Sequence, residues 1–253
     1  MAAERAPDTI SLASLNIHKL GLRWRERWPV LLAGLVAELP DVLLLQEAAR
    51  FAPQSRWIAH KLSRTEPHSR YRAVTTAKLG WRSMIEGLAV VTRLPVCDTA
   101  MLDLGGDARV AQRVTLASRA GTLFDVYNVH LSHREEREPL RLIQVNRLLD
   151  WAGARAHVPA IIAGDFNARP ESAPIQAMLK TWRSAHTVVH GGEPGFTAPS
   201  WSGAGEGQVV DYIFVGDDVA VLTCAVAFGP VERAGHLVFP SDHLGLVANL
   251  HIG

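Results

Sequence analysis

The apolar run Val158-Pro159-Ala160-Ile161-Ile162 stops at Ala163-Gly164-Asp165-Phe166-Asn167, and this junction constrains the chain more than any other segment. A short apolar run closed by a glycine reads as a buried strand that ends in a turn. Two short polar side chains, Asp165 and Asn167, then project from the C-terminal rim of that strand. An aspartate in such a place can orient a water molecule or hold a hard cation. An asparagine two residues on can donate a hydrogen bond to an anionic oxygen without adding a charge that repels it.

The same pattern recurs along the chain. Asn16 ends the strand-like Thr9-Ile10-Ser11-Leu12-Ala13-Ser14-Leu15-Asn16-Ile17, and Glu47 ends Asp41-Val42-Leu43-Leu44-Leu45-Gln46-Glu47. His130 closes Phe124-Asp125-Val126-Tyr127-Asn128-Val129-His130, and Asp211 opens Asp211-Tyr212-Ile213-Phe214-Val215. Asp242-His243 precedes the final apolar run from Leu244 to Leu250. Any one of these alone is what a solvated strand cap looks like. Together and in this order they make a site, and the Asp165/Asn167 pairing suits attack of water on phosphorus.

These segments resemble the endonuclease/exonuclease/phosphatase superfamily, which includes deoxyribonucleases, abasic-site endonucleases, sphingomyelinases and inositol-polyphosphate 5-phosphatases. The resemblance rests on Leu15-Asn16-Ile17, Gln46-Glu47, Glu86-Gly87-Leu88-Ala89-Val90-Val91-Thr92-Arg93, Asn128-Val129-His130-Leu131, Gly164-Asp165-Phe166-Asn167, Asp211-Tyr212 and Ser241-Asp242-His243. Each motif is weak by itself and the ordered set is specific. It spans nearly the whole chain, but it does not fix the substrate, because one fold hosts several phosphoesterase activities.

At 253 residues the chain is long enough for two domains, yet sandwich folds of this size commonly form one. The site groups come from both ends of the sequence, so we expect a single domain over residues 9–253 after a flexible N-terminus of residues 1–8. Cys97 and Cys224 are too few for a disulfide framework, and their apolar surroundings suggest buried structural thiols. The first residues, Met1-Ala2-Ala3-Glu4-Arg5-Ala6-Pro7-Asp8, have no apolar core of the signal-peptide kind. The longest apolar stretch, around Trp28 to Leu39, is interrupted by Pro29 and Glu38 and is too short to cross a bilayer. A soluble cytoplasmic protein is the expectation, and no protein partner is indicated.

Periodicity predicts strands near 9–17, 41–46, 71–76, 87–92, 96–103, 109–118, 122–130, 159–164, 209–215, 219–227 and 244–251. Helical spacing fits 28–38, 54–63, 135–152 and 172–180, the third with Leu140, Ile143, Leu148 and Trp151 as its apolar stripe. Many strands and few helices predict an α+β fold with two mixed sheets packed face to face and helices outside. The resemblance implies the same four-layer α/β/β/α sandwich.

Hydrolysis of an anionic phosphate ester needs a hard cation to neutralise a non-bridging or leaving oxygen. Glu47 is the best candidate for the main metal ligand, with Asn16 beside it and Asp242 next in line. No Cys/His cluster has zinc spacing, so Mg2+ or Mn2+ is favoured. By resemblance, Asp165 aligns or deprotonates the water and Asn167 steadies the phosphorus centre. His243 contacts the phosphate or moves a proton, with Asp211 fixing its tautomer, and His130 is a second phosphate contact. The sequence leaves open which of Asp165 and His243 is the base.

Three more residues are weaker candidates for binding substrate: His18 and Lys19, directly after Asn16, and Arg113 on a strand. His133 and Arg134 follow His130 and read more simply as a solvated helix start. A net charge of +1 supplies no global field that would gather nucleic acid. From Arg50 to Arg82, however, eight Lys or Arg (50, 56, 61, 64, 70, 72, 78, 82) face one acid, Glu66. Trp57, Tyr71 and Trp81 interleave them, a mixture that could track a phosphate backbone and stack bases, or rest on a membrane surface. A solvated face is the plainer reading of the same segment. The expected substrate is a nucleic acid, with a phospholipid, cleaved as by a sphingomyelinase, as the alternative. A non-catalytic binding protein that keeps only the fold is the rival of a different class, and the full set of polar residues argues against it.

Overall fold

The structure is a computed structural model that describes residues 8–21, 23–66, 68–199 and 207–253, without the side chains of Trp81 and Arg82. Residues 1–7 of the expected flexible N-terminus lie outside the described residues. The first half of the chain forms β1 (Thr9–Asn16), α1 (Trp24–Glu38), β2 (Val42–Ala49), α2 (Gln54–Thr65), β3 (Arg72–Ala77), β4 (Glu86–Thr92), β5 (Val96–Asp103), β6 (Val110–Ala117) and β7 (Leu123–His130). Then come α3 (Glu138–Gly153), β8 (Ala160–Asp165), α4 (Ala173–Met178), β9 (Arg183–Ser184), α5 (Ala185–His190), β10 (Asp211–Val215), β11 (Val219–Ala227), β12 (Val231–Arg233), β13 (His236–Val238) and β14 (Gly245–Ile252). One six-stranded sheet has the order β11-β14-β1-β2-β4-β3 and the other β5-β6-β7-β8-β10-β9, each mixing parallel and antiparallel neighbours.

Strand alternation divides the apolar residues among three layers of packing. Ile10, Leu12, Val42 and Leu44 of the first sheet meet Phe124, Val126, Ile161, Ala163 and Ile213 of the second in the core between the sheets. Their neighbours in sequence turn the other way. Leu15, Leu43 and Leu45 pack under Leu31 and Leu35 of α1 and Ile58 and Leu62 of α2. Tyr127, Ile162, Tyr212 and Phe214 pack under Val145 and Leu148 of α3 and Ile175 and Met178 of α4. Four layers need strands that are apolar on both faces, and this is why the central runs look continuous rather than alternating.

Several expectations need correction. α1 begins at Trp24, ahead of Pro29, which it carries inside. In α3, Ile143 is 55 % exposed, while Arg141 and Gln144 are buried. Arg141 donates to the carbonyls of Ser132 and Arg134, and Gln144 joins Ser132 to Gly105, so the buried face of this helix clamps loops with polar groups. Cys224 is buried as expected, but Cys97 is exposed. The two-residue strand β9, helix α5 and the β12–β13 hairpin carry too little periodic pattern to be predicted. No helix among the described residues is long and apolar enough to cross a membrane.

Candidate active site

Strand register builds the second sheet's half of the site. Asp165 pairs with His130 across the parallel β7–β8 ladder and with Asp211 across the antiparallel β8–β10 ladder. The three side chains therefore form a row at one end of the sheet, all on the face turned toward the other sheet. Gly164 permits this closeness: a Cβ on it would lie 2.1 Å from the Val129 carbonyl oxygen, and its φ is +147°.

The first sheet brings Asn16 and Glu47. Asn16 follows the inward parity of Leu12 and Ser14 at the end of β1, but Glu47 shares the outward parity of Leu43 and Leu45. A register shift between Leu45 and Ala48 and a left-handed φ of 54° at Glu47 turn its carboxylate into the pocket instead. His18, Lys19 and Asn167 at the same rim also have positive φ, of 48°, 30° and 48°. Positive φ also occurs at Arg23, Leu39, Asp107, Ala108, Phe228 and Ala234, so this conformation is not confined to the rim.

The pocket encloses about 390 Å3 and is lined by Asn16, Lys19, Glu47, Asp165, Asn167 and His243, among others. Asp165 is its centre. Its Oδ2 accepts from Asn16 Nδ2 at 3.0 Å and lies 3.4 Å from His130 Nε2 and 3.9 Å from His243 Nε2. Its Oδ1 accepts from the Asn167 backbone N–H at 2.9 Å. Asn167 Nδ2 donates to the Leu131 carbonyl at 3.2 Å, which fixes the amide at the rim.

Asp211 sits behind His243, with Oδ2 2.9 Å from Nδ1. Burial disfavours a charged imidazole, but the Asp211 and Asp165 carboxylates outweigh it and raise the His243 pKa above its ordinary value. Burial raises Asp165 as well, and the nearby His243 charge offsets part of that rise. His130 goes the other way: burial first, then the positive charges of Arg109 and Lys78, hold it well below the usual imidazole range and neutral. Two buried atoms of this group, His130 Nδ1 and Asp211 Oδ1, make no hydrogen bond among the described residues.

A second cluster adjoins the first. Lys19 Nζ bridges Glu47 Oε2 at 3.3 Å and Glu86 Oε2 at 2.8 Å, and Lys78 pairs with Glu86 Oε1. Burial works to raise Glu86, yet Lys78 and Lys19 pull it down to about 2. Burial and the Arg109 charge lower Lys78 to about 8.

Seven of the sequence-derived candidates therefore line one pocket, Asn16, Lys19, Glu47, His130, Asp165, Asn167 and His243, with Asp211 directly behind. Asp242 and His18 stand apart from it. They pair with each other at 3.2 Å in an adjoining groove of about 330 Å3. Arg113 is not brought to the site at all. Strand alternation sends it to the outer face of β6, where it pairs with Asp98 and lies 5.9 Å from the Trp151 ring. The pocket instead takes Arg109, Glu86 and His133. Of these, Glu86 stands within one of the motifs that carry the resemblance but had no role, and Arg109, at the start of the strand predicted over 109–118, was given none; the strand itself begins one residue later, at Val110.

Glu47 offers the pocket a carboxylate of which Lys19 engages only Oε2, and Asn16 lines the same pocket with its Oδ1 accepting from the His18 N–H. An all-oxygen set with one carboxylate and room for water fits Mg2+ or Mn2+. Asp165, Asp211 and His243 also present ligand atoms within 4.8 Å of one another. Within that trio Asp211 and His243 are hydrogen-bonded, and Asp165 lies 3.9 Å from His243 Nε2.

The two sheets thus converge on a buried carboxylate flanked by amides and imidazoles. The chain belongs to the Endonuclease/Exonuclease/phosphatase family, whose model matches residues 13–243. It is 26% identical over 259 residues to Nocturnin of Xenopus laevis, covering 90% of this chain and 65% of that protein's length. The human Nocturnin catalytic domain, solved with a bound sulfate anion, superposes with a TM-score of 0.80 at 22% identity, over 97% of this chain and 94% of that one. TDP2 of D. rerio, solved with a single-strand DNA product, gives 0.76 at 17% identity, over 96% and 99%. Enzymes of this family are divalent-metal-dependent phosphoesterases.

Proposed function

We propose that this protein is a nuclease that hydrolyses phosphodiesters of nucleic acid with Mg2+ or Mn2+ held at Glu47. The observation that carries the proposal is the convergence on Asp165 of Asn16, His130, His243 and Asn167 beside the Glu47 carboxylate. The single-strand DNA product held by the D. rerio protein of the same fold supports the choice of substrate class.

Asp165 aligns the attacking water and takes its proton, a task suited to a buried carboxylate whose affinity for protons is raised. His243, kept protonated and oriented by Asp211, donates to a phosphate oxygen and stabilises the charge that develops there. Asn167 and neutral His130 flank the phosphate without adding negative charge. A divalent ion at Glu47 would neutralise a non-bridging or leaving oxygen.

The test is hydrolysis by the purified protein of plasmid, single-stranded DNA, RNA, phospholipid vesicles and a generic aryl phosphodiester, with and without chelator. Cleavage of polynucleotide that depends on Mg2+ or Mn2+ is expected. Activity confined to lipid vesicles would replace the nuclease reading with the phospholipid one, and full activity in excess chelator would remove the metal from it.

A further inference from the structure

On the outer face of the first sheet, α2 and the approach to β3 enclose a groove of about 810 Å3. Arg56, His60 and Arg64 from α2 form one wall and Arg70 and Arg72 the other, all of them exposed. No acid lines the groove, and none of the four arginines forms an ion pair among the described residues. Arg56, His60 and Arg64 follow one another at a spacing of four, so they stack in a column on one helix face. α2 carries no carboxylate that could pair with Arg56 or Arg64.

The groove runs down from the catalytic rim. Gln54, the first residue of α2, accepts from the Ala49 N–H and donates to the Lys19 carbonyl, which locks that end of the helix beside the pocket. β3 ends next to Lys78, the partner of Glu86 in the pocket wall. At this same end Phe51 is 67% exposed, while Trp57, 43% exposed, packs edge-on against Trp28 of α1 with ring centroids 6.2 Å apart. The basic segment of the sequence is thus divided by the fold. Lys78 is buried in the pocket network and Tyr71 is buried under the groove, while Arg56, Arg64, Arg70 and Arg72 remain outside.

We propose that the α2–β3 groove is a second binding site, for the sugar-phosphate backbone of a single-stranded polynucleotide whose reacting phosphate lies in the catalytic pocket. The proposal rests on the nuclease reading above. The column from Arg56 to Arg64 spans about 12 Å of helix, enough to meet more than one phosphate of an extended strand. The exposed Phe51 ring, just ahead of α2, offers a face on which a base stacks without regard to sequence. A concave channel favours a thin polyanion over an anionic membrane, which presents a flat surface and cannot enter it.

The experiment compares wild type with Arg64→Glu/Arg72→Glu, whose substitutions lie far from the reacting groups. Binding to fluorescent single-stranded DNA of about 20 and about 3 nucleotides is measured in chelator, beside hydrolysis of an aryl phosphodiester with Mn2+. The variant should bind the long strand at least about tenfold more weakly, with a shallower dependence on salt, and keep wild-type affinity for the short strand and wild-type turnover of the small ester. Equal affinity of both proteins for the long strand overturns the groove site while leaving the nuclease intact. Absence of polynucleotide cleavage by wild type removes the nuclease reading itself. Loss of binding to phosphatidylserine vesicles with unchanged DNA binding would assign the groove to a membrane and overturn the proposal. Should the double reversal fail to fold, Arg64→Gln/Arg72→Gln carries the same comparison with a smaller expected change.

Discussion

Gln46 Nε2 donates to Asn128 Oδ1 at 2.8 Å across the interface between the two sheets, just beneath the catalytic pocket. Asn128 Nδ2 in turn donates to the carbonyls of Leu45 and Ala89. Both side chains are fully buried, so each bond removed leaves a polar group with no water to replace it. Asn128→Ala should therefore destabilise the fold by about 2–3 kcal/mol. Urea unfolding measures this, and a loss below about 1 kcal/mol would mean that the bridge is incidental.

The metal site makes two predictions of opposite sign. Glu47→Gln replaces a charged oxygen ligand with a neutral one and should weaken Mn2+ binding at least about tenfold by calorimetry. Lys19→Met removes the ammonium that competes for Glu47 Oε2 and should tighten it. Weaker binding in the Lys19 variant would show that this lysine helps to hold the ion rather than standing in its way.

Asp165→Asn and His243→Ala should each lower turnover by roughly 10²–10⁴-fold. Asp211 touches His243 and acts through it. The double variant Asp211→Asn/His243→Ala should then be little worse than His243→Ala alone. Clean multiplication of the two defects would show that the pair does not work as a unit.

The raised pKa of His243 sets a pH window. The folded protein holds this proton more tightly than the unfolded chain, whose imidazole titrates near about 6.5. Its stabilising contribution is complete below that value and is lost as pH rises through the higher folded value. Wild type should lose more stability than His243→Gln between neutral and alkaline pH. Parallel curves for the two proteins over that range would dismiss the His243–Asp211 pair as a source of stability.

Some of this architecture was legible in the sequence because the physics is local. An apolar run covered on both faces and ended by a polar residue announces both a central strand and its rim, as β8 with Asp165 and β7 with His130 illustrate. Other parts depend on geometry that composition does not encode. Arg113 looked like a phosphate ligand, but facing direction on a strand is a matter of parity, and Arg113 has the wrong one. Glu47 has the wrong parity too, and only the irregularity at its left-handed backbone turns it inward. In α3, Arg141 and Gln144 face inward because they serve neighbouring carbonyls, a role invisible to a hydrophobic pattern. Lys78 and Glu86 sit near the facing ends of adjacent antiparallel strands, so their pairing could be found only once β3 and β4 were known to be neighbours.

The lysine bridge between Glu47 and Glu86 has a consequence for how such a protein matures. Facing carboxylates without a counter-ion would repel one another and leave the rim unfinished until a metal arrived. Here the chain supplies that positive charge itself, so folding does not wait for an ion. Melting in chelator and in Mn2+ should differ only by the modest gain of ordinary ligand binding. On the proposed mechanism, an ion arriving at Glu47 would meet a rim already built and would complete its chemistry rather than its fold.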